Sequence, residues 1–385
     1  MTTLNDITCW MTLAHLPGWS VERINRLVVR IVHEEAITVS EFFALDKQEW
    51  VNRFAVMEQE ATDLARAKAD MPRLAFIAEQ LLHEGFQVIP LNAPEYPITL
   101  REHLKVKNAP TLLYVKGRIT LLQEAAVAIV GSRKAGATAL EFTANLARKC
   151  VSEHKVVVSG YAQGVDRQAL DSALAAGGRS IIVLPQGILT FQSGLKTYYR
   201  AIVNGDVLVL STFFPKAGWE VGLAMARNAY IYGLADEIYA AESDNKGGTW
   251  QGVLDGLKRG REVYVRKPNP GEQNAHGKLI ALGAIPVDMY GNRAAYPDAQ
   301  ELLIPENRAE EATKEPYNTV NATEKQILDL LCQSAFSAKE IIRILKLDWD
   351  ILSLQQFLAS RPEVYRISGK PLKYTCRNGM ALTLF

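Results

Sequence analysis

The chain has 385 residues, of which 48% are hydrophobic and 22% are charged. This composition is typical of a folded protein with two or three domains. Its four cysteines and six histidines have no paired spacing, so we predict no metal site, no cofactor and no disulfide framework. No run reaches the ~18 apolar residues of a spanning helix, and the amino terminus lacks the pattern of a signal peptide. We therefore expect a cytoplasmic protein that makes no membrane contact.

The first part of the chain has a helical pattern. Apolar residues recur at three- and four-residue spacing between residues 5 and 82, for example at Ile24, Leu27 and Ile31. This spacing predicts a small helical domain over residues 1–82. The turn at 16–20 and the helix after it resemble a helix-hairpin-helix motif. A Pro-Gly turn between two packed helices is the more common origin of such a segment.

Residues 83–290 alternate short apolar strands with helical stretches. Several strands are continuously apolar, as expected for strands that are buried on both faces of a parallel sheet. This alternation predicts an α/β domain with an open, doubly wound, mostly parallel sheet. The predicted strands are Val88–Pro90, Leu112–Tyr114, Ala126–Val130, Val156–Ser159, Ser180–Leu184, Val207–Leu210, Glu237–Ala241 and Glu262–Val265.

The last part of the chain has a different character. Residues 291–320 have no hydrophobic periodicity and carry an excess of acidic residues, which predicts a linker. After it, three short helices are predicted at Thr323–Cys332, Ser337–Leu347 and Trp349–Ala359. Two strands around a Gly-Lys-Pro turn follow, at Val364–Ile367 and Leu372–Thr375. Three helices and a terminal hairpin predict a winged-helix domain over 321–385.

Two strands end in glycine-containing turns that lead into helices. The first turn carries Gly131, Ser132, Arg133, Lys134 and Gly136. Glycines let a ligand approach, the start of a helix offers free N–H groups, and a guanidinium pairs with phosphate oxygens. The second turn carries Ser159, Gly160, Gly164 and Asp166. We predict that both turns lie at one crevice and bind phosphate, although Asp166 could also serve only to cap its helix.

A third glycine-containing turn follows the strand at 237–241 and consists of Lys246, Gly247, Gly248 and Thr249. It is a further candidate for anion binding at a helix start. Upstream, Arg227 and Asn228 interrupt an otherwise apolar stretch. We predict that these two polar residues belong to a site.

Taken in this order and spacing, these segments resemble the DprA/Smf family of DNA-processing proteins. The segments are GSR at 131–133, SGYAQGVD at 159–166, RN at 227–228 and GGT at 247–249. The resemblance covers roughly residues 82–285. It implies a Rossmann-like domain that binds single-stranded DNA, forms a homodimer and passes the strand to a RecA-type recombinase. It implies no catalytic residue, and the implied binding residues are those of the turns and Arg227 and Asn228.

The chain departs from the family pattern at several positions. Leu170 stands where the family commonly has a histidine, Thr212 where an acidic residue is expected, and Ala229 where a second arginine is expected. A Phe-Pro pair is replaced by Ala224-Met225. The changes remove charge, so that either strand binding is weaker than in relatives or the ligand differs.

Two other functions remain open at this point. The same crevice could hold a small nucleotide, since the wider superfamily includes nucleotide-binding domains with a similar GGT turn. A related hydrolase would need a glutamate just after that turn, and this chain has Trp250, Gln251 and Gly252 there. Alternatively, the winged helix could bind duplex DNA as a regulator, although its predicted recognition helix, 349–359, has no arginine or lysine.

Overall fold

The computed structural model describes residues 3–269, 272, 274–295, 322–334, 336–345, 347, 354, 358, 364–367 and 373–376. The chain divides into two compact units, Met1–Pro305 and Glu306–Phe385. In the described ranges, no helix combines the length and apolarity needed to cross a bilayer.

The first unit begins with six helices. Three of them start at capping boxes, in which the cap and a carboxylate three residues later satisfy each other's N–H groups: Thr3 with Asp6, Thr38 with Glu41, and Asp46 with Glu49. A π-helical turn at Arg30–Glu34 extends the second helix. The helices are α1 (Leu4–Ala14), α2 (Val21–Val29), α3 (Val39–Ala44), α4 (Lys47–Phe54), α5 (Glu58–Ala69) and α6 (Met71–His83).

A nine-stranded sheet forms the rest of this unit. Its strands are β1 (Gln87–Pro90), β2 (Leu112–Lys116), β3 (Ala126–Gly131), β4 (Val156–Ser159), β5 (Ser180–Val183), β6 (Val207–Ser211), β7 (Glu237–Glu242), β8 (Val263–Arg266) and β9 (Ile285–Val287). The order across the sheet is β1-β2-β6-β5-β4-β3-β7-β8-β9. The seven strands from β6 to β9 are parallel, and β1 and β2 form an antiparallel edge. The predicted doubly wound, mostly parallel sheet is confirmed.

Helices cover both faces of this sheet. They are α7 (Ile98–Asn108), α8 (Ala137–Ser152), α9 (Val165–Ala175), α10 (Gln192–Thr197), α11 (Tyr199–Asn204), α12 (Val221–Leu234), α13 (Gly248–Lys258) and α14 (His276–Ala281). Successive residues of β2 and β6 face opposite cores, as the two-residue period of a strand requires. Leu112 and Val207 pack in a core shared with α1–α6, and Leu113 and Leu208 pack in the core on the other face.

The order of the strands fixes where a ligand can approach. The chain runs from β3 outward through β4, β5 and β6, then crosses over and continues through β7, β8 and β9. The carboxyl ends of β3 and β7 therefore form the topological switch point, where open α/β sheets bind their ligands. Gly131 lies opposite Glu242 there, next to a register shift between Val130 and Gly131.

The remaining described elements lie before and after residues 296–321 of the predicted linker. Residues 291–294 still hydrogen bond to neighbours in the first unit, for example Ala294 N–H to the Pro286 carbonyl at 2.9 Å. Residues 296–321 lie outside the described part of the chain. The second unit contains α15 (Ala322–Gln333), α16 (Ala338–Leu345) and a three-stranded sheet in the order β10-β12-β11. These strands are β10 (Phe336–Ser337), β11 (Val364–Ile367) and β12 (Lys373–Cys376).

The winged helix stays a prediction, because most of its third predicted helix, 349–359, lies outside the described residues. The boundaries of the four predicted segments likewise stay predictions.

Candidate functional site

A cavity of about 360 Å³ opens at the switch point between β3 and β7. It is bounded by the turns after these two strands, the start of α13 and one face of α12. Nine of the residues predicted from the sequence line it: Gly131, Ser132, Arg133, Asp166, Arg227, Asn228, Lys246, Gly248 and Thr249. The other six lie around it without lining it: Lys134, Gly136, Ser159, Gly160, Gly164 and Gly247.

The first turn is closed by hydrogen bonds within the protein. Gly136 N–H donates to the Glu242 carboxylate at 3.1 Å, and Ser132 N–H donates to the Glu242 carbonyl at 3.1 Å. Lys134 N–H donates to the Ser132 hydroxyl at 3.0 Å. The expectation that this turn offers free N–H groups to a phosphate is therefore wrong for these three. A carboxylate of the chain already occupies the amino end of α8.

Arg133 lies on the same turn and has a different environment. Its side chain is exposed. Within the described ranges, no carboxylate oxygen lies within 4.0 Å of its guanidinium. Arg133 therefore makes no ion pair with Glu141 or Asp166, and all of its donors remain available to a ligand.

The second turn supports the floor of the cavity. Gly160 passes directly under the Arg227 side chain, where an added Cβ would collide with the guanidinium. Gly164 has φ +79° and packs against the Ser132 and Arg133 carbonyls, so only glycine fits there without strain. The Ser159 hydroxyl is buried and donates to the Ile129 carbonyl at 2.8 Å. These residues hold the turn in place and line neither the cavity nor the neighbouring one at Tyr161 and Phe191.

The floor itself is an ion pair that is almost fully buried. Arg227 is 4% exposed and Asp166 is 7% exposed. Arg227 Nη1 donates to the Val183 carbonyl at 3.0 Å and lies 3.8 Å from Asp166 Oδ2, while Arg227 Nε has no partner. Burial raises the pKa of Asp166, which Arg227 partly offsets, and burial lowers the pKa of Arg227. Because the two charges offset each other, this pair adds no net charge to the cavity.

The third turn brings a helix start to the opposite wall. Gly247 precedes α13, and the first N–H groups of α13, from Gly248 onward, have no partner within the helix. Asn228 supports this wall, since a Cβ at Gly248 would lie 2.7 Å from its Nδ2. Lys246 is exposed beside the helix start. Backbone donors, the helix dipole and an ammonium group thus converge here, which is the arrangement that binds an anion.

Several lining residues were not predicted from the sequence. Trp219, Val221 and Met225 form an exposed apolar edge, with Trp219 51% exposed. Glu242 and Asp244 add two carboxylates. The exposed tryptophan lies in a loop without periodicity, where only its size and apolar character could have marked it as a candidate.

A second cavity of about 270 Å³ adjoins the first. Arg133, Ala162, Trp219 and Arg227 line both, and the second cavity continues to Tyr161, Gln163, Pro185, Gln186 and Phe191. Tyr161 packs edge-on against Phe191 at 4.7 Å between ring centroids. The two cavities together form one crevice, with Arg133 and Trp219 on the wall between them.

Comparison with known proteins places this site in a family. The model of the family "DNA recombination-mediator protein A" matches residues 87–292, which is more than half of the chain. This range contains every residue of the crevice. The chain belongs to this family.

Individual proteins named DprA and Smf are similar to this family member in sequence and in fold. DNA processing protein DprA of Streptococcus pneumoniae is 33% identical over 173 residues, which cover 44% of this chain and 59% of that protein. The chain thus matches less than two thirds of that relative. Protein Smf of Escherichia coli is 25% identical over 297 residues, or 73% of this chain and 72% of that protein. The X-ray structure of S. pneumoniae DprA aligns with a TM-score of 0.55 at 21% identity, over 79% of this chain and 98% of that one. This last likeness shows the shared fold.

The structure locates the positions at which this DprA/Smf family member departs from the family pattern. Leu170 is buried in the core shared with α1–α6. Leu170, Thr212 and Ala229 line neither cavity, whereas Ala224 and Met225 line the first. The departures at the walls of the crevice therefore concern its apolar edge and not its charged groups.

Proposed function

We propose that the crevice binds single-stranded DNA and that the protein does not catalyse a reaction on it. The observation that carries this proposal is Arg133, an exposed guanidinium without a carboxylate partner in the described part of the chain, on the wall shared by two cavities. Arginine forks onto phosphate oxygens, and such contacts supply most of the affinity for a nucleic-acid backbone.

The shape of the crevice favours a single strand over a duplex. Its polar groups lie inside cavities at the ends of strands, and a base can enter such a cavity only when it is unpaired. Trp219 and the Tyr161–Phe191 pair present aromatic surface along the crevice. Aromatic surface beside cations is the usual means of binding single strands with little sequence preference.

The non-catalytic part of the proposal rests on the lining side chains. Ser132 and Thr249 supply hydroxyls, but no histidine or cysteine is found among the described residues that line either cavity. Histidine, the base that most often activates a hydroxyl nucleophile, is thus absent from this described lining. Of the carboxylates in the lining, Asp166 is paired with Arg227 and Glu242 accepts the Gly136 N–H. The described residues also contain no group of three or more His, Cys, Asp or Glu side chains placed to hold a metal ion.

Family membership supports the biological setting of the proposal. A protein of a DNA recombination-mediator family would act with a recombinase, and we infer a RecA-type recombinase as the partner that receives the strand. We further infer a homodimer that acts in the cytoplasm. Gel filtration with light scattering would test the dimer, and pull-down with a RecA-type recombinase in the presence of single-stranded DNA would test the partner.

A second candidate, a small nucleotide bound in the same crevice, is favoured by the volume of the first cavity. At about 360 Å³ it falls at the lower end of the range for small-ligand pockets. Mass spectrometry of the gently purified protein would detect a retained nucleotide. The duplex-binding role of the winged helix gains no support, because 349–359 lies almost entirely outside the described residues.

The proposed function is tested by fluorescence anisotropy with labelled oligonucleotides. We expect single-stranded DNA of about 10 or more nucleotides to bind better than a duplex of equal length, with affinity that falls steeply as salt rises. Equal or tighter binding to the duplex would refute the proposal. The same samples incubated with Mg²⁺ should show no cleavage, and cleavage that follows the protein peak would refute the non-catalytic part.

A further inference from the structure

The first cavity carries as many negative as positive side chains. Asp166, Glu242 and Asp244 line it together with Arg133, Arg227 and Lys246. Arg227 offsets Asp166, but the two other carboxylates, Glu242 and Asp244, would repel a ligand that offers only a phosphate. The lining therefore matches a ligand that presents hydrogen-bond donors as well as a phosphate.

These charges are separated within the cavity. Asp166 and Arg227 pair with each other at the buried floor, so that they leave the other four charges to a ligand. Arg133 is exposed and lines both cavities, and Lys246 precedes the start of α13. Glu242 lines the same cavity at the carboxyl end of β7.

Glu242 is held in a fixed orientation by the backbone. Its Oε2 accepts the Gly136 N–H at 3.1 Å, and its own carbonyl accepts the Ser132 N–H. An ionised carboxylate has about four acceptor positions and no donor. One position is used by Gly136, so Glu242 can accept further N–H groups from a ligand in the cavity.

The bases differ in what they offer to such an acceptor. Guanine has two adjacent donors on one edge, N1–H and the N2 amino group. Thymine flanks its single N–H with two carbonyl oxygens, which a carboxylate repels. Adenine and cytosine place a donor beside an acceptor nitrogen. Only guanine can thus donate two parallel hydrogen bonds to one carboxylate.

We propose that the first cavity is a base-reading pocket for guanine, with N1–H and the N2 amino group donating to Glu242 and the phosphate at Arg133 and Lys246. The ring would lie against the apolar edge formed by Trp219, Val221 and Met225, which are exposed. This inference rests on the proposed function. It implies that the protein selects the base at one position of the bound strand and accepts any base at the neighbouring positions.

The test compares labelled 12-nucleotide strands by fluorescence anisotropy with the full chain. One strand is all thymidine, one has a single central deoxyguanosine, and one has deoxyinosine, which lacks the N2 amino group, at that place. A bidentate contact to a base discriminates by a factor of about ten. We expect the deoxyguanosine strand to bind about tenfold tighter than the thymidine strand, with deoxyinosine in between.

The substitution Glu242→Gln tests whether Glu242 causes the preference for deoxyguanosine over thymidine. Glutamine keeps an oxygen to accept the Gly136 N–H but replaces the second acceptor by a donor, so the ratio of the two dissociation constants should fall to about one. Glu141→Gln is the matched control, since Glu141 is exposed on α8 and does not line either cavity. That variant should keep the ratio of the unaltered protein.

Calorimetry with dGMP and dTMP separates this inference from the proposed function. Equal affinity for all three strands would overturn the guanine pocket and leave single-strand binding intact. A preference that survives Glu242→Gln would also overturn it. If no strand binds but dGMP binds more tightly than dTMP, the pocket stands and the proposed function fails. Binding of neither strands nor mononucleotides would overturn both.

Discussion

Replacing Arg133 by alanine should weaken the binding of single-stranded DNA without unfolding the protein. A hydrogen bond to a charged group contributes about 1.5–3 kcal/mol, and the exposure of Arg133 lowers this because water competes for both partners. We therefore expect a loss of about 1–2 kcal/mol, which corresponds to an affinity lower by about 5- to 30-fold. The plot of log affinity against log salt should lose about 0.7 of its slope, the share of one phosphate on a single strand.

The measurement is fluorescence anisotropy over a salt series, with melting temperature recorded on the same preparation. Arg148→Ala is the matched control, because Arg148 lies on α8 about 16 Å beyond the helix start, at 1.5 Å per residue. Its guanidinium donates to Asn145 of the same helix, and it lines neither cavity of the crevice. It should leave both affinity and salt slope unchanged. The reasoning is refuted if Arg133→Ala lowers the melting temperature but not the affinity, or if Arg148→Ala weakens binding equally.

Three further changes have expected outcomes. Lys246→Ala should weaken strand binding less than loss of the arginine does, because a flexible ammonium is a point charge and not a fork; a larger loss in the same titration would contradict this. Gly160→Ala should lower stability by about 1–3 kcal/mol in denaturant melts, because its Cβ collides with Arg227, whereas Gly222→Ala, with open space around it, should not. Burial lowers the pKa of His15 to about 4, so the unfolded chain takes up a proton between pH 6.5 and 4 that the folded state does not. Stability should therefore fall as the pH is lowered through this window, and His15→Gln should reduce that slope by about 1.4 kcal/mol per pH unit; an unchanged slope in melts from pH 7 to 4 would argue against it.

The parallel sheet could be predicted from the sequence because its strands are buried on both faces. Val156, Val157 and Val158 form a continuous apolar run, and such runs stand out between helical stretches. β9 was not predicted. It has only three residues, one of them Pro286, and it pairs at the edge of the sheet. A strand this short carries too little pattern to be recognised without its neighbour.

The site could be predicted in its location and only partly in its chemistry. Glycine turns at strand ends indicate the switch point, because the geometry of a parallel sheet brings those ends together. The sequence does not show that Glu242, 106 residues after Gly136, accepts the N–H of that glycine. Nor does it show that Asp166 and Arg227 offset each other at the floor. Pairings between distant residues depend on the fold as a whole.

The core that α1–α6 share with one face of the sheet has a consequence for how the first unit unfolds. Trp50 and Phe42 of these helices belong to the same buried cluster as Tyr114, Ile182 and Val209 of the strands. Amides in the helices and in those strands should therefore exchange with solvent through a common opening, with similar protection. A truncated chain that began at β1 would present this apolar face to water, and would associate or aggregate instead of behaving as an independent module.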